Sequence, residues 1–303
     1  MSRTIKNVAL AGASGNVGSH VLSALLELEF NVTVLSRNSS KSFPGAARVQ
    51  VVDFTSTESL SAAFANQDAV IDTTFSPDTE APLRLIDAAV QAGVYRFDFG
   101  LDPNHPEVHN LPVFARKKAA YDSVKRHAHA TQPPSLTYTL IANGIFLDWS
   151  LSSGFAGFDL CNKKATLFGD GTNIVPWTAL EDVGRATARV LLRPEETVNR
   201  VVYVHSAYLS QRELLGVAKG VLGEEGWGVV AWEDMRVRFD AALADLRAGR
   251  ISDAVFEVQI RYCIADSALV GPWPRDDNAL LGVKEWDLGM VGGLVGRIAG
   301  VDA

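Results

Sequence analysis

The sequence predicts an α/β fold, with a doubly wound parallel sheet in its first half and a smaller C-terminal region after it. Three observations predict this. Short apolar, β-prone runs alternate with helical spacing of Leu, Ile, Val and Ala from residue 8 to 142, the pattern of successive βαβ units. A glycine-rich turn, GASGNVG, stands directly after the first run and directly before the first helical pattern. The 303 residues, 47% apolar and 21% charged, are enough for one large core or two smaller ones without disulfide staples.

The elements follow in order. Strands are expected over 8–11, 32–35, 49–52 and 69–72, with helices over 17–28, 59–65 and 81–92 between them. Thr55 and Glu58 stand three apart just before Leu60, the spacing of a capping box, and Ser210 with Glu213 repeats it later. A strand over 95–99, a helix over 114–128 and a strand over 136–142, entered through Pro133 and Pro134, complete a six-stranded half. Beyond Trp149 the pattern is broken by Gly154, Gly157, Gly169 and Gly171, and a helix over 182–192 and a strand over 201–204 follow. The chain therefore divides into residues 1–150, the sheet domain, and 151–303, the smaller region, with parts of 173–210 returning to the sheet. The apolar stretch GMVGGLVGRIAGV is interrupted by Arg297 and is shorter than the roughly 20 residues a bilayer span requires. It reads as a terminal helix packed on the body.

Composition excludes several classes of function. Asp and Glu outnumber Lys and Arg by 35 to 28, a net charge of -7, whereas nucleic-acid binding needs a basic face. Cys161 and Cys263 have no CxxC pairing and no His at ligand spacing, so neither a zinc site nor a disulfide framework is encoded. The glycine turn begins within a dozen residues of Met1, leaving no room for an export signal ahead of it. The expectation is a cytoplasmic protein, a monomer or homodimer, with a small-molecule partner and neither membrane nor nucleic acid.

Gly12, Gly15 and Gly18 form a GxxGxxG loop between strand and helix. Glycines allow the tight turn and let a pyrophosphate approach the backbone N–H groups of a helix N-terminus. This is the dinucleotide turn of a Rossmann domain, with Ser14, Asn16 and Val17 lining it. An NAD enzyme places a carboxylate at the end of the second strand for the ribose 2′-hydroxyl. No Asp or Glu occurs from Asn31 to Val52, and Arg37 occupies that place. A guanidinium grips a 2′-phosphate bidentately, with Lys41 as a second cation, so the expected cofactor is NADPH/NADP+. Asp53, after the third strand, is a candidate acceptor for the adenine amino group. Phe54, Thr73, Thr74, Phe75, Asn143 and Phe146, at or just after strand ends, complete the candidate cofactor set, because ligands of doubly wound sheets bind outside those ends.

The segments GASGNVG, LSRNSSK, VVDF, LIDAAVQAGVYRF, LPVFARKKAAYDSVK and GDGTNIVPWTALEDVG, in that order, resemble the NmrA-like, isoflavone reductase-like branch of the atypical short-chain dehydrogenases, fungal members especially. The resemblance covers nearly the whole chain. It implies a Rossmann domain, NADPH and a cleft against a C-terminal substrate-binding region. Reductases of this family carry a Lys in an FxxK motif, matched by Phe114–Lys117. Lys117 is thus the expected active-site Lys, which would hold the nicotinamide ribose and polarise or protonate a substrate oxygen. Tyr121 and Lys125 have the YxxxK spacing of standard short-chain dehydrogenases and share one helical face, so Tyr121 ranks second. Residue 113 is Val, which leaves Lys117 without the Tyr of that pairing. The family's IPSEFG-like stretch is replaced by the shorter Arg96-Phe97-Asp98-Phe99-Gly100. Asp102 and His105 in the next loop, and Phe146, Trp149 and Trp177, either as an aromatic wall for a flat substrate or as core, are the candidate substrate residues.

The leading functional expectation is an NADPH-dependent reductase of an aromatic or polycyclic small molecule in fungal secondary metabolism. Two others are carried beside it: a redox-neutral or redox-mediated cyclase or isomerase using the same cofactor site, and a non-catalytic NADP(H)-sensing regulator.

Overall fold

The computed structural model describes residues 4–38, 41–43, 45, 48–75, 78–100, 108, 111–130 and 136–301. Strands β1 (Asn7–Ala11), β2 (Asn31–Ser36), β3 (Arg48–Val51), β4 (Ala69–Asp72), β5 (Arg96–Gly100), β6 (Thr137–Ala142) and β11 (Arg200–Tyr203) form one sheet in the order β11-β6-β5-β4-β1-β2-β3. Every pairing in it is parallel, as βαβ alternation requires. The order reverses at β1, which has β4 on one side and β2 on the other. A crevice opens at such a reversal, outside the carboxyl ends of the strands. The sheet has seven strands: the six of the first half, and the expected strand at Val201, from the 173–210 stretch expected to return to the sheet, which joins β6 as its outer neighbour.

Helices cover both faces. α1 (Asn16–Glu27) lies beside α6 (Leu180–Val190) on one face, and their buried Val21, Leu22, Leu25, Ala186 and Val190 meet Val8, Leu10, Val32 and Ile71 of the sheet. On the other face α2 (Thr57–Phe64), α3 (Ala81–Gln91) and α4 (Ala115–Ala130) bury Leu60, Phe64, Leu85, Ile86 and Val124 against Ala9, Val70, Phe97 and Leu140. The two faces follow from the alternation of side chains along each strand. The α2 start differs by one residue from the spacing of Thr55 and Glu58. The N-cap is Ser56, whose hydroxyl accepts from Ser59 N–H, while Thr55 is held by Asp53.

The C-terminal part is built from short strands joined across long stretches of chain. β7 (Ile145–Phe146), β10 (Val175–Thr178) and β12 (Ala207–Leu209) make one three-stranded sheet, and β8 (Phe158–Asp159), β9 (Lys164–Phe168) and β13 (Gly228–Trp232) another. Around them lie α5 (Leu147–Ser152), α7 (Gln211–Leu222), α8 (Met235–Arg247), α9 (Asp253–Ala265), α10 (Asn278–Leu281) and α11 (Leu288–Ala299). A third core, including Leu147, Phe158, Phe168, Trp177, Leu214, Val291 and Leu294, holds these pieces together. No helix among the described residues is long and apolar enough to cross a membrane.

Candidate functional site

The glycine turn leaves β1 at the sheet's switch point. Gly12 has φ +86°, and a Cβ there would lie 2.7 Å from the Thr73 backbone carbon. A Cβ on Gly18 would lie 2.1 Å from the Gly12 carbonyl oxygen. Both positions therefore demand glycine, one for its left-handed backbone and both for close approach. Gly15 N–H donates to Gly12 O at 2.9 Å and closes the turn. α1 then begins with Gly15 as N-cap and no side chain capping it, so its first-turn N–H groups face the crevice with the partial positive charge of a helix N-terminus. Ser14 and Asn16 are exposed on the turn, and Val17 is half-buried against the core beneath it. The Thr73 hydroxyl donates to Ala11 O at 2.7 Å, which ties the exit of β4 to the exit of β1.

The cationic end lies next to this turn. Arg37 is exposed immediately after β2, and Lys41 Nζ donates to Ser14 Oγ at 2.7 Å. That bond draws the loop after β2 onto the glycine turn, so an ammonium borders the N-terminus of α1. Asp53 Oδ1 accepts from Thr55 N–H at 2.8 Å and from Thr55 Oγ1 at 2.7 Å. The Thr55 hydroxyl first, then its N–H, hold that carboxyl below its ordinary range. The Phe54 carbonyl accepts from Arg84 Nε at 3.0 Å. Beyond β4, Thr74 N–H donates to Asp72 Oδ1 at 2.8 Å, and Phe75 is 85% exposed. The Asn143 carbonyl accepts from Thr178 Oγ1 at 2.6 Å, which sets β7 and its half-buried Phe146 beside Thr178.

Lys117 lies in the first turn of α4 and is half-buried. The turn ahead of it is anchored from the C-terminal part. Val113 N–H donates to Oε1 of the fully buried Gln259 on α9 at 3.1 Å, and Phe114 and Leu111 pack against Val108, Cys263 and Leu269. Tyr121, one turn on, lies with the core on the face of the sheet covered by α2, α3 and α4. Its ring meets Tyr138 edge-on at 6.2 Å, and Lys125 Nζ sits 4.9 Å from the ring centroid. Burial first, with Tyr121 second, pushes the Tyr138 hydroxyl up to about 12. The pairing of Tyr121 with Lys125 is thus a ring and cation contact on the side of α4.

Of the substrate candidates, Trp149 is half-buried against Phe155 at 5.3 Å. Trp177 is fully buried and its indole N–H donates to Leu209 O at 2.8 Å. The sequence reading of Trp177 as an aromatic wall is corrected on this point: the strand pairing of β10 turns it into the core, where it has no open face. Asp102 and His105 lie outside the described residues. No group of three His, Cys, Asp or Glu able to hold a metal occurs among the described residues.

One cluster was not singled out from sequence as a site feature. Arg96 and Asp98 alternate with Phe97 along β5, and both are fully buried on the face opposite Phe97. Arg96 donates to the hydroxyls of Thr137, Thr139 and Thr197 and, at 2.7 Å, to Pro194 O. Asp98 Oδ1 accepts from Thr139 N–H at 3.1 Å and lies 4.0 Å from Arg96, while its other oxygen is buried with no hydrogen-bond partner among the described residues. Burial pushes this carboxyl up to about 7, and Arg96 offsets the effect only in part. The charge alternation R-F-D within a predicted strand was the signal, since a strand covered on both faces buries every side chain it carries.

Comparison with known proteins places these features in context. The NmrA-like family model matches residues 4–226. Oxidoreductase poxI of Penicillium oxalicum is 32% identical over 290 residues, covering 91% of this chain and 89% of that protein. Oxidoreductase aprR of Aspergillus flavus is 35% identical over 255 residues, covering 82% and 84%. The solved structure of AtPrR2 with NADP+ and (+)pinoresinol has the same fold, with a TM-score of 0.73 at 17% identity over 97% of this chain and 100% of that one.

Proposed function

This chain belongs to the NmrA-like family, and from that premise we propose that it is an NADPH-dependent oxidoreductase acting on a small aromatic or polycyclic molecule. The observation that carries the reading is the Lys41–Ser14 bond at 2.7 Å beside Arg37, on a crevice edge with no acid between Asn31 and Val52. Two cations next to an uncapped helix N-terminus suit a dinucleotide bearing an extra phosphate, and disfavour one recognised by a ribose hydroxyl. That relatives are named oxidoreductases, and that a protein of the same fold holds NADP+, supports the same cofactor here.

When bound, the nicotinamide supplies a hydride. In this reading the residues of the chain do the rest. Gly12, Gly15 and Gly18 give the pyrophosphate access to backbone N–H groups, Ser14 and Asn16 border it, and Thr73 keeps the two strand exits together. Arg37 and Lys41 hold the 2′-phosphate. Lys117, in a turn fixed by Gln259 and Phe114, keeps ammonium donors at the substrate end and stabilises negative charge developing on the substrate oxygen. Phe146 and Trp149 border the same end. Tyr121 is the second candidate, and its contacts with Tyr138 and Lys125 favour Lys117 over it.

Titration with NADPH and NADH, followed by turnover with a panel of aromatic ketones, enones and imines, tests the reading. Arg37→Ala should weaken NADPH by roughly tenfold or more, the loss of a charge-assisted contact, and leave NADH nearly unchanged. Lys117→Ala should lower kcat by about 10²-fold or more while the NADPH Kd stays within a few-fold. Product formed without net NADPH consumption would replace the reductase by a cyclase or isomerase. Tight NADPH binding with no turnover across the panel would replace it by a sensor.

A further inference from the structure

The C-terminal sheet of β8, β9 and β13 has an open edge. β13 pairs with β9 on one side, and no strand among the described residues pairs with its other side. Gly228 N–H donates to Lys163 O at 2.9 Å, and Gly169 N–H donates to Trp232 O at 3.1 Å, so the backbone groups of Gly228, Val230 and Trp232 point toward β9. The N–H and C=O of Val229 and Ala231 point the other way, because direction alternates along a strand. All four residues from Gly228 to Ala231 are exposed, Val230 by 61%.

Sheet edges are ordinarily blunted by a charge, a proline, a bulge or a covering element. The edge strands of the large sheet follow this rule, since β3 opens on Arg48 and β11 on Arg200. β13 carries neither charge nor proline and presents two adjacent valines. The sequence around it, EEGWGVVAWEDMR from Glu224 to Arg236, is matched to itself in one register. Counted along an antiparallel pair of copies centred on Val230, Val229 stands opposite Ala231, Trp227 opposite Glu233 and Glu224 opposite Arg236, and no like charges face one another. Centred on Val229, Glu224 would face Asp234 and Glu225 would face Glu233, which is unfavourable. The Val230 centre also lets Val229 of one copy and Ala231 of the other exchange N–H and C=O, the hydrogen-bonded pairs of an antiparallel ladder. Arg236 is paired with Asp240 at 3.0 Å, so charge selects the register and adds little affinity.

We propose that β13 is a homodimer interface, pairing antiparallel with β13 of a second copy about a twofold axis at Val230 and joining the two C-terminal sheets into one. A twofold contact requires that each residue meet its opposite number in both directions, and the Val230 register meets that condition for backbone and charge together. The two exposed Val230 side chains then cover each other as a β-branched cross-strand pair, and the ladder supplies the affinity. Two strands of five residues cover less than the roughly 1,200 Å² of a standard stable interface, so the dimer forms and dissociates with concentration, with a Kd on the order of 10 μM. The interface shares no residue with the dinucleotide crevice and does not depend on the activity proposed there.

Sedimentation velocity of the full-length protein from about 1 to about 500 μM, spanning that Kd, tests this. A monomer at low concentration passing to a dimer at high concentration is expected. Val230→Lys, which sets two ammonium groups opposite each other, should weaken the dimer by about tenfold or more. Ala231→Pro removes an outward N–H while leaving the bonds to β9, and should weaken it to a similar extent. Cys161 is exposed, so crosslinking is done in a Cys161→Ser background. There Val230→Cys should form a disulfide-linked dimer under mild oxidation, and Val229→Cys, which faces Ala231, should not. Thermal melting shows whether each variant keeps its fold, and if Val230→Lys or Ala231→Pro does not, the crosslinking pair decides. A monomer at every concentration, a dimer undiminished in the folded variants, or crosslinking through Val229→Cys as readily as through Val230→Cys would each overturn the proposal.

Discussion

Gly18 has no space for a methyl group, because a Cβ would lie 2.1 Å from the Gly12 carbonyl oxygen and 2.7 Å from Thr73 Oγ1. The contact is with backbone on one side and a hydroxyl already bonded to Ala11 on the other, so neither neighbour yields cheaply. Gly18→Ala is expected to abolish measurable NADPH binding in fluorescence titration while far-UV circular dichroism stays within the range of the parent protein. Retained affinity would show that the turn tolerates the shift and that the phosphates lie elsewhere. At the same scale the sequence was informative about Gly12 and Gly18, since glycine spacing is a property of residue type. It was silent about the bond from Lys41 to Ser14, which joins residues 27 apart.

At the scale of elements, local chemistry was readable where partners are close in sequence. Ser210 and Glu213 form the full capping box of α7, with Ser210 Oγ accepting from Glu213 N–H at 3.2 Å and Ser210 N–H donating to the Glu213 carboxylate at 2.7 Å. α7 carries Leu214, Leu215 and Ala218 into the C-terminal core, so the cap supports a buried helix. Ser210→Ala is expected to cost about 1 kcal/mol, seen as a lower urea midpoint with an unchanged slope. No loss of midpoint would mean that tertiary packing alone holds the helix start. The Thr55 spacing was misleading for a physical reason: Asp53 captures both the N–H and the hydroxyl of Thr55, which leaves Ser56 to cap α2. Strands such as β7 and β8, each of two residues, carry no periodicity to read.

On the scale of the whole molecule, Asp98 couples folding to pH. Burial pushes its folded carboxyl from the ordinary value of 3.8 up to about 7, so between those values the folded protein holds a proton that the unfolded chain has released. Its contribution to stability is therefore greatest below about 4, falls as pH rises toward 7 and is flat above that. Asp98→Asn should raise the melting temperature at pH 8 relative to the parent and remove this component of the slope between pH 4 and 7; parallel melting profiles for the two proteins would show that Asp98 ionises freely when folded. By itself the sequence determined the parallel α/β class, the glycine turn between β1 and α1 and the presence of a cation rather than an acid after β2, because periodicity, glycine spacing and charge are local. The tertiary structure alone decided the rest: the pairing of β11 with β6 at the sheet edge, Trp177 in the core, the Arg96–Asp98 pair under cover, and Gln259 holding the turn before Lys117. Each of these depends on which distant surfaces meet, and burial is set by the partner across the interface as much as by the residue itself.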